Sequence, residues 1–141
     1  MIFAVSPEDH EVHSKKLQVF VDSGENILKF VGTGESDRRG LTIDNVKLVR
    51  YGTAENIAVN GDFEKPNLGK IGKKWIVRNE IPGWAGEGIE VGLGNLYSKY
   101  WKSQVVELDA HKNGWLAQKW GFDSDYQLVS ETSDIEEEES A

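Results

Sequence analysis

The chain has 141 residues, enough for one domain with its own core, and no cysteine, which excludes disulfides and thiolate metal sites. No run of about 18 apolar residues is present, which excludes a membrane-spanning helix. The net charge is −8, but residues 130–141 carry six acids and no base. The remainder has 16 bases against 18 of the 24 acids, with no basic stripe for nucleic acid.

Hydrophobic alternation predicts β-strands in the first third of the chain. Residues 1–14 show no readable pattern and are treated as a separate N-terminal segment. Apolar and polar residues alternate over 17–21 and again over 27–31, on either side of a polar turn, which predicts a β-hairpin. A glycine-rich polar loop follows at 32–40.

The stretch 40–64 organises the rest of the chain. Its first part reads as a strand in which Ile43 lies on the apolar face, but Val46 falls out of step with it. A slip of one residue in the alternation is typical of a β-bulge, which we predict at Asp44 and Asn45. Bulges re-aim side chains, so the acidic residue at the slip is a candidate for function.

A second predicted strand covers 56–64. It consists of a short apolar run, the turn signal Asn60-Gly61 and then an acidic residue, Glu64. Both Asp44 and Glu64 stand next to apolar residues, where a strand does not favour a carboxylate. We therefore expect the two carboxylates to approach each other and to hold a hard cation.

The rest of the chain predicts further short strands and no amphipathic helix. An all-β fold follows, an antiparallel β-sandwich that occupies residues 15–129. The acidic tail 130–141 has too little apolar content to fold and is predicted to be disordered. The further strands are predicted at 74–78, 88–92, 103–109, 114–120 and 126–129.

Three stretches resemble a known family. GLTIDNVKL (40–48) looks like the closing strand, and NIAVNGDFEKP (56–66) the opening strand, of galactose-binding-like jelly-roll modules. These include carbohydrate-binding modules of glycoside hydrolases and related domains of bacterial surface and plant cell-wall proteins. SQVVELDAHKNGWLAQKW (103–120) is similar to a further stretch of such modules. The resemblance implies a jelly roll in an extracellular or cell-surface setting.

The order of the matching stretches is reversed relative to that family, in which the NGDFE strand comes first and the IDNV strand last. Two explanations stay open. The chain either holds the end of one repeat and the start of the next, or is a circularly permuted jelly roll. Permutation is physically easy where the first and last strands are neighbours.

Acidic residues in the predicted turns suit calcium, which takes about six to eight oxygen ligands in a flexible geometry. The resemblance implies a structural Ca²⁺ too, because many family members hold one beside the first and last strands. The alternative is that acids in turns are solvated or cap the local backbone. The candidate ligands are Asp44, Glu64, Asp37, Asp62 and Asp109.

Five tryptophans and four tyrosines suggest a carbohydrate ligand, because an aromatic face stacks on the C–H face of a sugar. The candidates lie in predicted loops, where a ring can be exposed. The alternative is ordinary packing of aromatic rings in or around the core. The candidate sugar-binding residues are Trp84, Tyr97, Tyr100 and Trp101.

The sequence gives little support for an enzyme. It lacks the nucleophile-elbow, P-loop and zinc-protease motifs. A glycosidase needs two carboxylates that flank a cleft, and the nearest pair, Glu107 and Asp109, shares one face of a predicted strand. Cross-strand pairing is the simplest role for these two residues.

We therefore predict a non-catalytic, calcium-binding β-sandwich module with a carbohydrate ligand. Two other readings stay open: a calcium-dependent structural or adhesive module that contacts proteins, and a calcium-responsive switch. Residues 1–10 lack the basic flank and the apolar run of a signal peptide, so the expected extracellular or cell-surface location depends on the resemblance alone.

Overall fold

A computed structural model describes residues 13–21, 24–33, 41–50, 52–109, 112–122 and 127–137 of the chain. These residues form eight β-strands, one short helix and one 3₁₀ turn, so the predicted all-β class is confirmed. The elements are β1 (His13–Val21), β2 (Gly24–Val31), β3 (Leu41–Arg50), α1 (Leu68–Ile71), β4 (Trp75–Ile81), β5 (Trp84–Leu93), the 3₁₀ turn (Gly94–Leu96), β6 (Gln104–Glu107), β7 (Trp115–Phe122) and β8 (Gln127–Glu137).

All the strand pairings in the described residues are antiparallel, and they make one eight-stranded sheet. The strand order is β1-β8-β3-β6-β5-β7-β2, and β4 pairs with β5 off this path. One edge of β5 is taken by β4, and its other edge is shared by β7 and β6. The described pairings of β1, β2 and β3 are thus all with strands from the C-terminal half, and a continuous sheet joins the two halves of the chain.

The predicted strands at 17–21 and 27–31 exist as parts of β1 and β2, but the predicted hairpin is wrong. β1 pairs with β8 and β2 pairs with β7, because each gains a full-length ladder with a C-terminal strand. The two strands lie at opposite ends of the strand order, yet only two residues join them. Val21 and Gly24 are then at most about 11 Å apart, so the sheet must curl until its ends are close.

The curled sheet encloses the main core. Trp84 is 2% exposed and lies between the rings of Phe30 and Phe63, with centroids 6.2 Å and 5.6 Å away. An end strand and a central strand both supply this core, since residues of β2 and of β3 pack into it. Its buried members are Ile43, Val46, Phe63, Leu68, Ile76, Ile81, Trp84, Ile89, Val91, Val106, Leu108 and Leu116.

The β-bulge predicted in β3 is confirmed. Asp44 is opposite Asp134, but Lys47 is opposite Thr132, so β3 has one more residue than β8 across this step. Asn45 absorbs the extra residue with a φ of 49°, a left-handed conformation that asparagine tolerates better than most residues. As a result Ile43 and the later Val46 both reach the core.

The predicted strand at 56–64 is wrong. Asn56 forms an isolated bridge with Val49, and the residues that follow form turns instead of a ladder. Asn60 and Phe63 have φ values of 50° and 54°, which are incompatible with an extended strand. The short apolar run therefore does not mark a strand, because these residues pack as a loop against the sheet.

The predicted disordered tail differs from the structure over residues 130–137, which form most of β8. β8 pairs with β1 on one side and with β3 on the other, so its main chain is bonded along both edges. These ladders hold the strand even though its apolar content is low. The segment also contains the β-branched residues Thr132 and Ile135, which favour strands. Residues 138–141 lie outside the described part.

Deleting residues 130–141 should lower the melting temperature by at least about 5 °C, because β1 reaches β3 only through β8. Deleting residues 138–141 alone leaves β8 complete and serves as the control. Thermal unfolding followed by circular dichroism measures both. An unchanged melting temperature after the longer deletion would contradict a structural role for β8.

Candidate functional site

Two buried glutamine side chains hold the loop between β3 and α1 in place. The first is Gln104 at the start of β6, which is 6% exposed. Its Nε2 donates to the carbonyl oxygens of Phe63 and Pro66 at 2.8 Å and 2.9 Å, and its Oε1 accepts from the amide of Leu68 at 2.8 Å. One side chain thus forms hydrogen bonds with three main-chain groups that lie outside the β-sheet.

The second is Gln118 on β7, which is 5% exposed. Its Oε1 accepts from the amide of Val59, and its Nε2 donates to the carbonyl oxygens of Val59 and Gly83, all at 2.7 Å. The indole of Trp84 also donates to the carbonyl oxygen of Asn60 at 3.0 Å. Side chains from the sheet therefore fix both halves of the loop.

This arrangement brings Asp44 and Glu64 to the same end of β6. The Ser103 hydroxyl donates to Oδ2 of Asp44 at 3.1 Å, and the amide of the next residue, Gln104, donates to Oε2 of Glu64 at 3.0 Å. The bulge in β3 positions the carboxylate of Asp44, and the loop held by Gln104 positions that of Glu64. Two acids 20 positions apart in sequence therefore bind consecutive residues.

Burial makes this pair of carboxylates electrostatically unusual. Asp44 is 1% exposed, and an ionised carboxylate is costly to bury unless charge or hydrogen bonds compensate it. Burial also raises the pKa of Glu64 above its ordinary value; the amide of Gln104 lowers that pKa, and the nearby carboxylate of Asp62 raises it. A bound cation would favour the ionised form of both groups.

The other predicted metal ligands do not join this pair. Asp62 is exposed, and its Oδ1 accepts from the amide of Glu64 at 3.3 Å. Asp109 is buried beyond the far end of β6 in an isolated bridge with Asn113, roughly 16 Å of strand away from Gln104. Asp37 lies outside the described residues. No three His, Cys, Asp or Glu side chains form a metal-binding group within the described ranges.

Three of the four predicted sugar-binding rings are buried. Trp84 belongs to the main core. Tyr97 and Trp101, 8% and 6% exposed, pack on Val105 over the other face of the sheet. There Trp101 Nε1 donates to Oγ1 of Thr42 at 3.2 Å, and the Tyr97 hydroxyl donates to a carboxylate of β5. These rings lie in packed surroundings that leave little face for a sugar.

The exposed rings are elsewhere. Tyr100 is 43% exposed and has the ammonium of Lys99 5.3 Å from its ring centroid. Trp75, which is not among the four predicted rings, is 54% exposed on β4. A shallow, open groove of about 520 Å³ lies against it, lined by the consecutive residues 72–78. Alternation could have found it, since Ile76 is buried and its neighbour must then point outward.

Comparisons of the chain with family models, with curated proteins and with solved structures find no match. Among the described residues, no helix has the length and apolar character needed to cross a membrane.

Replacing Gln104 by Met should lower the free energy of unfolding by about 3 kcal/mol, because a similar volume remains but buried main-chain groups lose their partners. Urea denaturation measures the change. Lys102→Met, two residues earlier at an exposed position, is the control and should stay within about 0.5 kcal/mol of wild type. Equal stabilities of the two variants would show that the loop does not need the glutamine.

Proposed function

We propose that the chain is a non-catalytic carbohydrate-binding module of the galactose-binding-like jelly-roll type, and that Trp75 is its sugar-stacking residue. The observation that carries this proposal is the 54% exposed indole within an open groove. Such a module would work at a cell surface or outside the cell, as the sequence resemblance implies. The alternative is a protein-binding module, which binds no glycan.

The position of Trp75 suits a binding residue because the strand beneath it is held rigidly. The neighbouring Ile76 is 8% exposed and belongs to the main core, as does Ile81 at the other end of β4. β4 is paired along β5, with Trp75 opposite Gly92. A rigid strand presents the ring with little loss of conformational freedom on binding.

Trp75→Ala should weaken glycan binding at least tenfold, since covering about 60 Å² of the ring contributes about 1.5 kcal/mol. A glycan array would identify the ligand, and affinity electrophoresis would compare the variants. Tyr100→Ala removes an exposed ring from the loop after the 3₁₀ turn and should leave affinity within about twofold.

Two results would contradict the proposal. Absence of binding to any glycan would favour a protein-binding module. Loss of binding in Tyr100→Ala with normal binding in Trp75→Ala would move the sugar site to the loop after the 3₁₀ turn.

We further propose that Ca²⁺ stabilises the module through Asp44 and Glu64. Both are hard oxygen ligands, and hydrogen bonds to consecutive residues bring them to one place. A cation there would compensate the charge of the buried Asp44. Two carboxylates are too few for calcium, which takes about six to eight oxygens, so main-chain carbonyls and water would complete the set.

Calcium at a hundredfold excess over its dissociation constant should stabilise the wild-type protein by about 2.7 kcal/mol relative to chelator. Asp44→Asn, which keeps the size of the side chain, should abolish this gain. Lys47→Gln, at an exposed position of the same strand, should retain it. Melting curves of each variant in calcium and in chelator measure the gain, so that any direct effect of the substitution cancels. Identical melting of the wild type in both solutions would refute the metal site.

A further inference from the structure

The groove at β4 is basic in a chain that is acidic overall. Residues 68–79 contain four bases and no acid, whereas the whole chain has a net charge of −8. Three of these bases, Lys73, Lys74 and Arg78, line the groove together with Trp75. All three are exposed to solvent. The groove proposed for the sugar therefore carries a local charge opposite to that of the protein.

The ion pairs of the described residues do not include these groove bases. Within the described ranges, none of the three groove bases takes part in an ion pair, whereas Lys112 lies 2.7 Å from the carboxylate of Glu87. The last turn of α1 adds a fourth exposed base, Lys70, close to the groove in sequence. Two acids lie nearby, Glu80 on β4 and Glu90 opposite Val77 on β5, so the four bases leave an excess of positive charge that a polyanion would neutralise.

We propose that the glycan bound in this groove is anionic, a polysaccharide that carries carboxylate or sulfate groups. This inference rests on the proposed function and names its ligand class. The indole of Trp75 would stack on the C–H face of a sugar ring, and Lys73 and Lys74 before it in the chain would bind acidic groups. Arg78 alternates onto the opposite face of β4 together with Ile76, so its long side chain would bind an acidic group across the outer edge of the strand. Arg78 can bind a carboxylate or a sulfate through two parallel hydrogen bonds, whereas the lysines act as point charges.

The spacing along β4 suits a linear chain rather than a single sugar. From Trp75 to Arg78 β4 extends over roughly 10 Å, and Lys73 and Lys74 lengthen the basic stretch before the strand. A neutral glycan would gain the stacking contact but would leave the charges without partners. An acidic glycan gains both, and its affinity must fall as salt screens the charges.

The test measures binding of polygalacturonate, dextran sulfate and a neutral xyloglucan at about 50 mM and about 200 mM salt. Polygalacturonate supplies carboxylates and dextran sulfate supplies sulfates, so the two arms separate the sources of charge. The test variant is the triple substitution Lys73→Gln, Lys74→Gln and Arg78→Gln. The control replaces Lys16, Lys47 and Lys102 by Gln, which removes the same charge from exposed positions outside the groove.

Wild type should bind at least one acidic glycan about tenfold more tightly than xyloglucan. The groove variant should lose about tenfold in affinity for that glycan, since each exposed ion pair contributes about two- to fivefold. The control variant should stay within about threefold of wild type. Higher salt should weaken binding by the wild type more than binding by the groove variant.

Other outcomes overturn the inference in distinguishable ways. Equal binding of neutral and acidic glycans, unaffected in the groove variant but lost in Trp75→Ala, would refute the anionic ligand and keep the proposed function. No binding of any glycan would refute both. Self-association of wild type that disappears in the groove variant, seen by sedimentation without glycan, would instead assign the groove to a second copy of this acidic chain.

Discussion

Two buried glutamine side chains hold the loop on which most of the structure depends. Gln104 and Gln118 come from β6 and β7, and each bonds three main-chain groups between β3 and β5. An amide side chain can do this because it carries both donors and an acceptor, as a peptide group does. The position of Phe63 in the core and of Glu64 beside β6 both follow from these contacts.

Two strands of the sheet lie between the two proposed sites. Asp44 lies on β3 near the middle of the strand order, whereas Trp75 lies on β4, with β6 and β5 between them. Rings from the loop after β5 cover the sheet face near Asp44, so a metal there would be shielded from a large ligand. The arrangement supports a metal that stabilises the fold and a sugar that binds at an outer strand.

The sequence predicted features that depend on local pattern and missed those that depend on distant partners. The bulge at Asp44 was predictable because the alternation itself slips there. The strand at 130–137 was not predictable, because the number of acidic residues in a segment does not show which strands pair with it. The burial of Trp84 and the exposure of Trp75 were missed for a similar reason: sequence neighbours do not show which ring the core covers. The glutamines were missed because a lone Gln in a strand gives no signal of its three main-chain partners.

The place of β8 between β1 and β3 has a consequence for the order of synthesis. β1 leaves the ribosome before the other described strands, but its partner is the last of them. Until then β1 has two open edges, which is the condition under which nascent strands aggregate. Lys15 and Lys16 within β1 are charges of the kind that discourage such pairing. The acidic segment that forms β8 therefore also covers one of the two open edges of the first strand.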